Sequence, residues 1–331
     1  MRQPALSKRN GGVLAMIERP DVDTLLAGPL GQWLEQQAVV REEAKRKSNR
    51  RFLIAGVVAL PVLALFWVAQ LFGNWNEELK MFLSFAGLVG GGGWAYAPRA
   101  RAIKETKRGI NQAIAASLGL TYSDEFEPGH GFELAKTYQM VPRHDRASFD
   151  DLWSGDLAGR AFSLHEAHLE ERRGSGKNRR WVTVFRGAIL TIEFDRQFHG
   201  TTLLEREKKH RKLFGGQKDY VEFEGHRLDC ADMVHPEFED LFSVWSDDQV
   251  EARYLVHPRY IERLVEVERA FGGQNIRTLF KGGELAICIE SGNMFESGSL
   301  DPKDDRAKIE QCVDQFMTLV KLAAALNEPA R

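Results

Sequence analysis

Two uninterrupted apolar runs dominate the pattern along the chain: Phe52–Phe72 (FLIAGVVALPVLALFWVAQLF) and Met81–Ala97 (MFLSFAGLVGGGGWAYA). Neither contains a charged residue, and each approaches the roughly 20 apolar residues that a helix needs to cross a hydrocarbon core about 30 Å thick. They predict two membrane-spanning helices, over residues 52–72 and 79–97. The polar segment between them, GNWNEELK, is short enough to force antiparallel packing. Pro61 removes a backbone hydrogen bond from the first span and is expected to bend it. Ala55 with Ala59, and Gly87 with Gly91, place small residues four apart, the spacing of close-packed helix faces in membranes. A buried hairpin in a soluble protein is the competing reading, and uncharged runs of this length weigh against it. A secretory signal would place its apolar core much nearer the N-terminus.

Around these runs the pattern is helical and polar. Residues 1–28 are expected to be weakly ordered, with Met16 an alternative start. Residues 29–51 predict a cytoplasmic lead-in helix that opens at Pro29, a favoured first-turn residue. Residues 98–120 predict a juxtamembrane helix with Ile110, Ile114 and Leu118 on one side, closed by Gly119.

The periodicity then changes. Leu152–Glu170 and Trp181–Phe194 are rich in aromatic and β-branched residues and alternate, which predicts two adjacent antiparallel strands about the turn-rich RRGSGKNRR. Asp219–Gly225 and His226–Leu228 predict a short hairpin. Helices are expected at His235–Trp245 and at His257–Phe271, the latter with Tyr260, Leu264, Val267 and Phe271 on one stripe. Ile276–Glu290 predicts a hairpin turning at Gly282–Gly283, residues that supply the positive φ of a two-residue turn. A last helix starts near Asp304–Asp305 and repeats Ile309, Cys312, Val313, Phe316, Met317 and Val320. The fold class is α+β: a two-helix transmembrane hairpin followed by a cytoplasmic domain, residues 121–331, with an antiparallel sheet and packed helices.

Charge adds an orientation. Arg41, Lys45, Arg46, Lys47, Arg50 and Arg51 precede the first run, and Arg99, Arg101, Lys104, Lys107 and Arg108 follow the second, whereas the connection offers only Lys80. The positive-inside rule then puts both termini in the cytoplasm, as expected of a multi-pass protein of the inner (cytoplasmic) membrane. Trp67, Trp75, Trp94 and Tyr96 suit interfacial belts. The net charge of −2 gives no global field toward nucleic acid. Cys230, Cys288 and Cys312 are odd in number and lack C-x-x-C spacing, so they read as reduced thiols rather than a disulfide or metal framework.

No catalytic set stands out. GSGK at Gly174–Lys177 has the tail of a phosphate-binding loop, but Asn178 replaces the Ser or Thr and a strand is expected to follow where that motif needs a helix. His165 and His168 are three apart in an expected strand, where they face opposite sides, so they are no metal pair. Asp247, Asp248, Glu251, Arg253 and His257 form a polar cluster between two expected helices. Capping and mutual pairing compete there with a cation-binding or acid–base role, and the structural role is favoured. Two basic groups are candidate contact surfaces: Arg172, Arg173, Lys177, Arg179 and Arg180 at a hairpin tip, and Lys208, Lys209, Arg211 and Lys212 after it. Solvated loops are the plain reading; an anionic membrane surface is the functional one.

Three passages, PLGQWLEQQAVVREEAKRK, VFRGAILTIEF with FHGTT after it, and HPEFEDLFSVWSDDQVEARYLVHPRYIERL, resemble an uncharacterised family of bacterial inner-membrane proteins, domain of unknown function 3137. The resemblance implies two spans before a cytoplasmic α+β domain and supplies no activity, ligand or catalytic residue. His257, before Pro258, departs from the smaller hydroxyl residue expected there. The expected function is a membrane-anchored binding or scaffold module for a protein partner or the anionic membrane surface. The alternatives are an enzyme acting on a membrane-associated substrate through Asp247, Asp248 and His257, and an oligomeric transport path. Expected partners are the lipid bilayer and a membrane protein or second copy, with no nucleic acid, cofactor or metal.

Overall fold

The computed structural model describes residues 18–69, 76–157, 159–194, 197–206, 210, 218–232, 241–270 and 274–325. The chain divides into two compact units. One contains residues up to Pro20, Ile114–Phe295 and Gln311 onward; the other contains Asp21–Ala113 and Glu296–Glu310.

The first unit is built on a ten-stranded sheet in the order β1-β2-β3-β4-β10-β9-β5-β8-β7-β6. The strands are β1 Leu120–Ser123, β2 Arg146–Asp156, β3 Ala161–Arg173, β4 Arg180–Glu193, β5 Thr202–Arg206, β6 Tyr220–Phe223, β7 His226–Cys230, β8 Phe242–Ser246, β9 Gln274–Lys281 and β10 Glu284–Glu290. Every neighbouring pair is antiparallel. Gly282 and Gly283, at φ 60° and 96°, turn the β9–β10 hairpin as their sequence predicts. Glu224 and Gly225 do the same for β6–β7.

Two of the expected elements are corrected. Leu152–Glu170 is not one strand: β2 and β3 pair antiparallel across a turn in which the Leu157 amide donates to the Arg160 carbonyl (2.8 Å). The turn has local marks, Gly159 at φ 85° with its amide donating to Asp156 Oδ1 (2.5 Å), inside a run whose apolar residues continue on both sides of it. Phe162 meets Phe316, while Ala167 and Leu169 join the core around Phe132, so β3 is covered on both faces. Phe242–Ser246 is strand, not the end of the helix expected at 235–245; residues 235–240 lie outside the described residues. All five residues of β8 are buried, and a short, wholly buried apolar run has no period that separates helix from strand.

Helices α4 (His130–Thr137), α5 (Gln249–Leu255) and α6 (Pro258–Ala270) pack on β4 and β10, on β8, and on β9 respectively. Tyr260, Leu264 and Val267 of α6 are buried as predicted; Phe271 lies outside the described residues. Helix α7 (Asp305–Ala325) buries Ile309, Cys312, Val313, Phe316, Met317 and Val320, the predicted stripe. The three cysteines are free thiols.

The second unit contains α1 (Val22–Ala27), α2 (Pro29–Ala69) and the Glu77–Ala113 part of α3 (Glu77–Ser117). The lead-in helix and the first apolar run are one continuous helix, as are the second run and the juxtamembrane helix, with Pro61 and Pro98 inside them. Residues 70–72, the end of the first run, lie outside the described residues. Contacts between Trp33 and Gly109, Asn49 and Arg99, Arg51 and Trp94, and Ala55 and Gly91 set α2 and α3 antiparallel.

Among the described residues one helix, α2 over Pro29–Leu65, is long and apolar enough to cross a membrane. The second apolar run does not reach that standard, because Gly90–Gly93, Trp94 and Tyr96 dilute it.

The segment 296–310 completes this unit. Arg41, 1% exposed, donates through both terminal nitrogens to the two carboxylate oxygens of Asp305 at 2.7 Å, and also meets the Ser299 carbonyl (3.3 Å). Lys107 pairs with Glu296 (2.8 Å), and the Ser297 hydroxyl lies 2.6 Å from Asn111 Oδ1.

Candidate functional site

The polar cluster is assembled by the turn between β8 and α5. Asp248 has extended backbone and caps α5, its carboxylate accepting from the Val250 and Glu251 amides (3.0 and 2.9 Å). Glu251, one turn on, reaches across to accept from the His199 and Gly200 amides (3.2 and 2.9 Å), and Asp247 accepts from the Thr201 amide (2.6 Å). Ser246 bonds Thr202 hydroxyl to hydroxyl (2.9 Å) and donates to the Thr201 carbonyl (3.1 Å). Three consecutive amides of the FHGTT segment are therefore held by two acidic side chains of the SDDQVE segment.

Gly200 fits because nothing larger would: a Cβ there would lie 2.4 Å from Asp247 Oδ1 and 2.7 Å from Asp248 Cβ. Arg253 turns away, its Nε donating to the Asp232 carbonyl (3.1 Å), and the His257 carbonyl accepts from the first amides of α6. The carboxylates accept from backbone N–H groups, an arrangement that fixes a loop. Sequence reasoning found the acids but not Gly200, Thr201 or Ser246. The only signal was a glycine between polar residues in FHGTT.

Buried ionisable groups elsewhere are also structural in their contacts. Glu205, 1% exposed, accepts from Trp245 Nε1 (3.1 Å) and lies 2.9 Å from His210 Nε2. His165 stacks edge-on to Phe126 and Phe149, and burial pushes its pKa down to about 4, so the ring is neutral. His168 faces Thr183 at 2.9 Å, away from His165, as strand alternation requires. Among the described residues no group of three or more His, Cys, Asp or Glu side chains could hold a metal ion.

The basic tip is a β-hairpin end, with Arg173 opposite Arg180 and Arg172 opposite Trp181. A single 3-10 turn over Gly176–Asn178 crosses it, so no helix follows GSGK. Arg172, Arg173, Arg179 and Arg180 are exposed; the Lys177 side chain lies outside what is described. Lys208, Lys209, Arg211 and Lys212 also lie outside the described residues.

The exposed apolar side chains of α2 and α3 form a further candidate surface. Leu53, Val57, Leu60 and Leu65 on α2, and Met81, Phe82 and Phe85 on α3, are 63–70% exposed. Between the helices runs an apolar groove of about 700 Å³, lined by Ala55, Ala59, Gly87 and Gly91 among others. At its end, Arg51 donates to the Trp94 carbonyl (3.1 Å) and lies over the Trp94 ring.

The clamp joins two of the passages that carried the family resemblance, and both fall within one stretch recognised by a family model. Residues 183–328 match the family described as protein of unknown function DUF3137. The DUF3137 match runs from within β4 into the residues after α7. It takes in FHGTT and SDDQVE but not the lead-in helix, the third passage of the resemblance. The family description carries no activity. No curated protein matches the chain. Among solved structures, the mycobacterial trehalose monomycolate transport factor A, TtfA, aligns at 12% identity over 70% of this chain and 99% of that chain, with a TM-score of 0.33.

Proposed function

We propose that this chain is an anchored protein of the inner membrane. In this reading α2 and α3 cross the bilayer as a hairpin, both termini are cytoplasmic, and the sheet unit is a binding or scaffold module. The observation that carries it is the apolar surface of α2 and α3. Soluble monomers rarely leave a contiguous apolar patch of more than a few hundred Å² in water, and here large side chains of two adjacent helices are exposed without interruption by charge. Lipid is the medium that such a surface fits, and Lys and Arg flank it on the side that the positive-inside rule assigns to the cytoplasm. Because α3 carries four consecutive glycines, its apolarity is weak for a lone span; pairing with α2 supplies the packing partner that small residues favour.

The test is membrane extraction. Full-length protein expressed in bacteria is expected to stay with the membrane pellet through alkaline carbonate and to float with vesicles. Cysteines placed at residues 10 and 76 are expected to label from the cytoplasmic and the opposite face respectively. Release by carbonate would overturn anchoring, and labelling of both from one face would overturn the hairpin. The carboxylates of the clamp are held by backbone amides, so nothing in their geometry favours the enzymatic alternative.

A further inference from the structure

We propose that the end of the β3–β4 hairpin is a docking surface for anionic phospholipid headgroups. The proposal rests on the reading of the chain as membrane-anchored and names which part of the sheet unit meets lipid. Residues 170–181 contain five cations and two carboxylates. Both carboxylates are already engaged, Glu170 by Arg146 and Glu171 by Arg173 (2.7 Å). The side chains of Arg172, Arg179 and Arg180 are exposed and pair with no carboxylate among the described residues; the one further acid at this end, Asp145, accepts from the Arg172 backbone amide (2.7 Å). The positive end is local, since the whole chain carries a net charge of −2.

The apex is Gly174-Ser175-Gly176, with both glycines at positive φ, so no bulky side chain there keeps a surface from the flanking arginines. Trp181 stands behind the apex, 44% exposed, opposite Arg172 in the strand register. Indole at a polar–apolar boundary beside cations is the composition of a membrane interface. The Arg146 guanidinium lies 4.5 Å from the Trp181 ring centroid and covers one of its faces, so at most one face is left on which a nucleic-acid base could stack. Anchoring makes docking intramolecular, so a tip of weak affinity still meets lipid at high effective concentration.

The experiment uses the full chain with Cys230→Ser and Ser175→Cys, labelled at position 175 with a polarity-sensitive fluorophore. It is reconstituted in phosphatidylcholine vesicles with or without phosphatidylglycerol. The expected result is a blue shift with phosphatidylglycerol that high salt reverses. The triple variant Arg172→Ser, Arg179→Ser, Arg180→Ser is expected to lower apparent docking by roughly a hundredfold, about fivefold per charge. Its circular dichroism should stay unchanged, because the three side chains are exposed. Emission that is the same in both lipids overturns the proposal, as does a shift produced only by an added oligonucleotide or acidic peptide. Retention in neutral vesicles reports the anchor and the probe reports the tip, so each reading can fail without the other.

Discussion

Gly200 shows how much a single position can decide. Its missing Cβ lets the FHGTT backbone approach Asp247 and Asp248 closely enough for amides to reach carboxylates. Gly200→Ala is therefore expected to destabilise by about 1–3 kcal/mol, since the neighbours that must move are fixed by their own hydrogen bonds. Asp248→Ala loses the α5 cap and should cost about 1 kcal/mol. Chemical denaturation of the full chain in detergent reads both, and a Gly200→Ala variant of unchanged stability would refute the close packing.

His165 gives a pH signature. Its folded pKa, about 4, lies below the ordinary 6.5, so between those values the unfolded chain binds the extra proton and stability falls as pH falls. The contribution is complete above pH 6.5, and about 2 kcal/mol of it is lost by pH 5. His165→Leu removes this dependence. Equal losses in the two proteins between pH 6.5 and 5 would contradict the buried neutral ring.

At the scale of elements, the pairing of Arg41 on α2 with Asp305 at the start of α7 ties the segment 296–310 to the helices of its unit. Both partners are buried, so removing either one leaves an uncompensated charge. Arg41→Ala or Asp305→Ala is expected to cost about 3–5 kcal/mol, and the double variant Arg41→Ala, Asp305→Ala much less than the sum. Thermal unfolding of the four proteins in detergent closes that double-mutant cycle; additive losses would mean that the pair is not coupled. In the charge pattern Arg41 stands among the cations that flank the first apolar run. Its burial could not be read from that charge pattern, because its partner lies 264 residues away.

The elements that were legible had local signals. The β9–β10 hairpin was marked by two glycines, the α7 stripe by helical period, and the β3–β4 pair by alternation on both sides of a turn. β8 was not legible: a short strand buried along its whole length loses alternation, and burial depends on what the rest of the chain brings against it. The β2–β3 turn rests on a few polar residues within an apolar run, Asp156 and Gly159 among them. The candidate site followed the same division: Asp247, Asp248 and Glu251 were visible as a cluster of acids, but not the amides they accept from.

For the molecule as a whole, composition and local pattern specify where the apolar runs lie, the charge bias around them, and an α+β domain with an antiparallel sheet. These depend on composition and short-range period, which a chain carries without folding. That segment 296–310 belongs with α1, α2 and most of α3 is settled by folding alone. The tertiary structure alone assigned the acidic cluster to clamping a distant loop, and it left four arginines and a tryptophan exposed at one hairpin end. Those outcomes rest on contacts between residues far apart in the chain, and such contacts exist only once the backbone has brought them together.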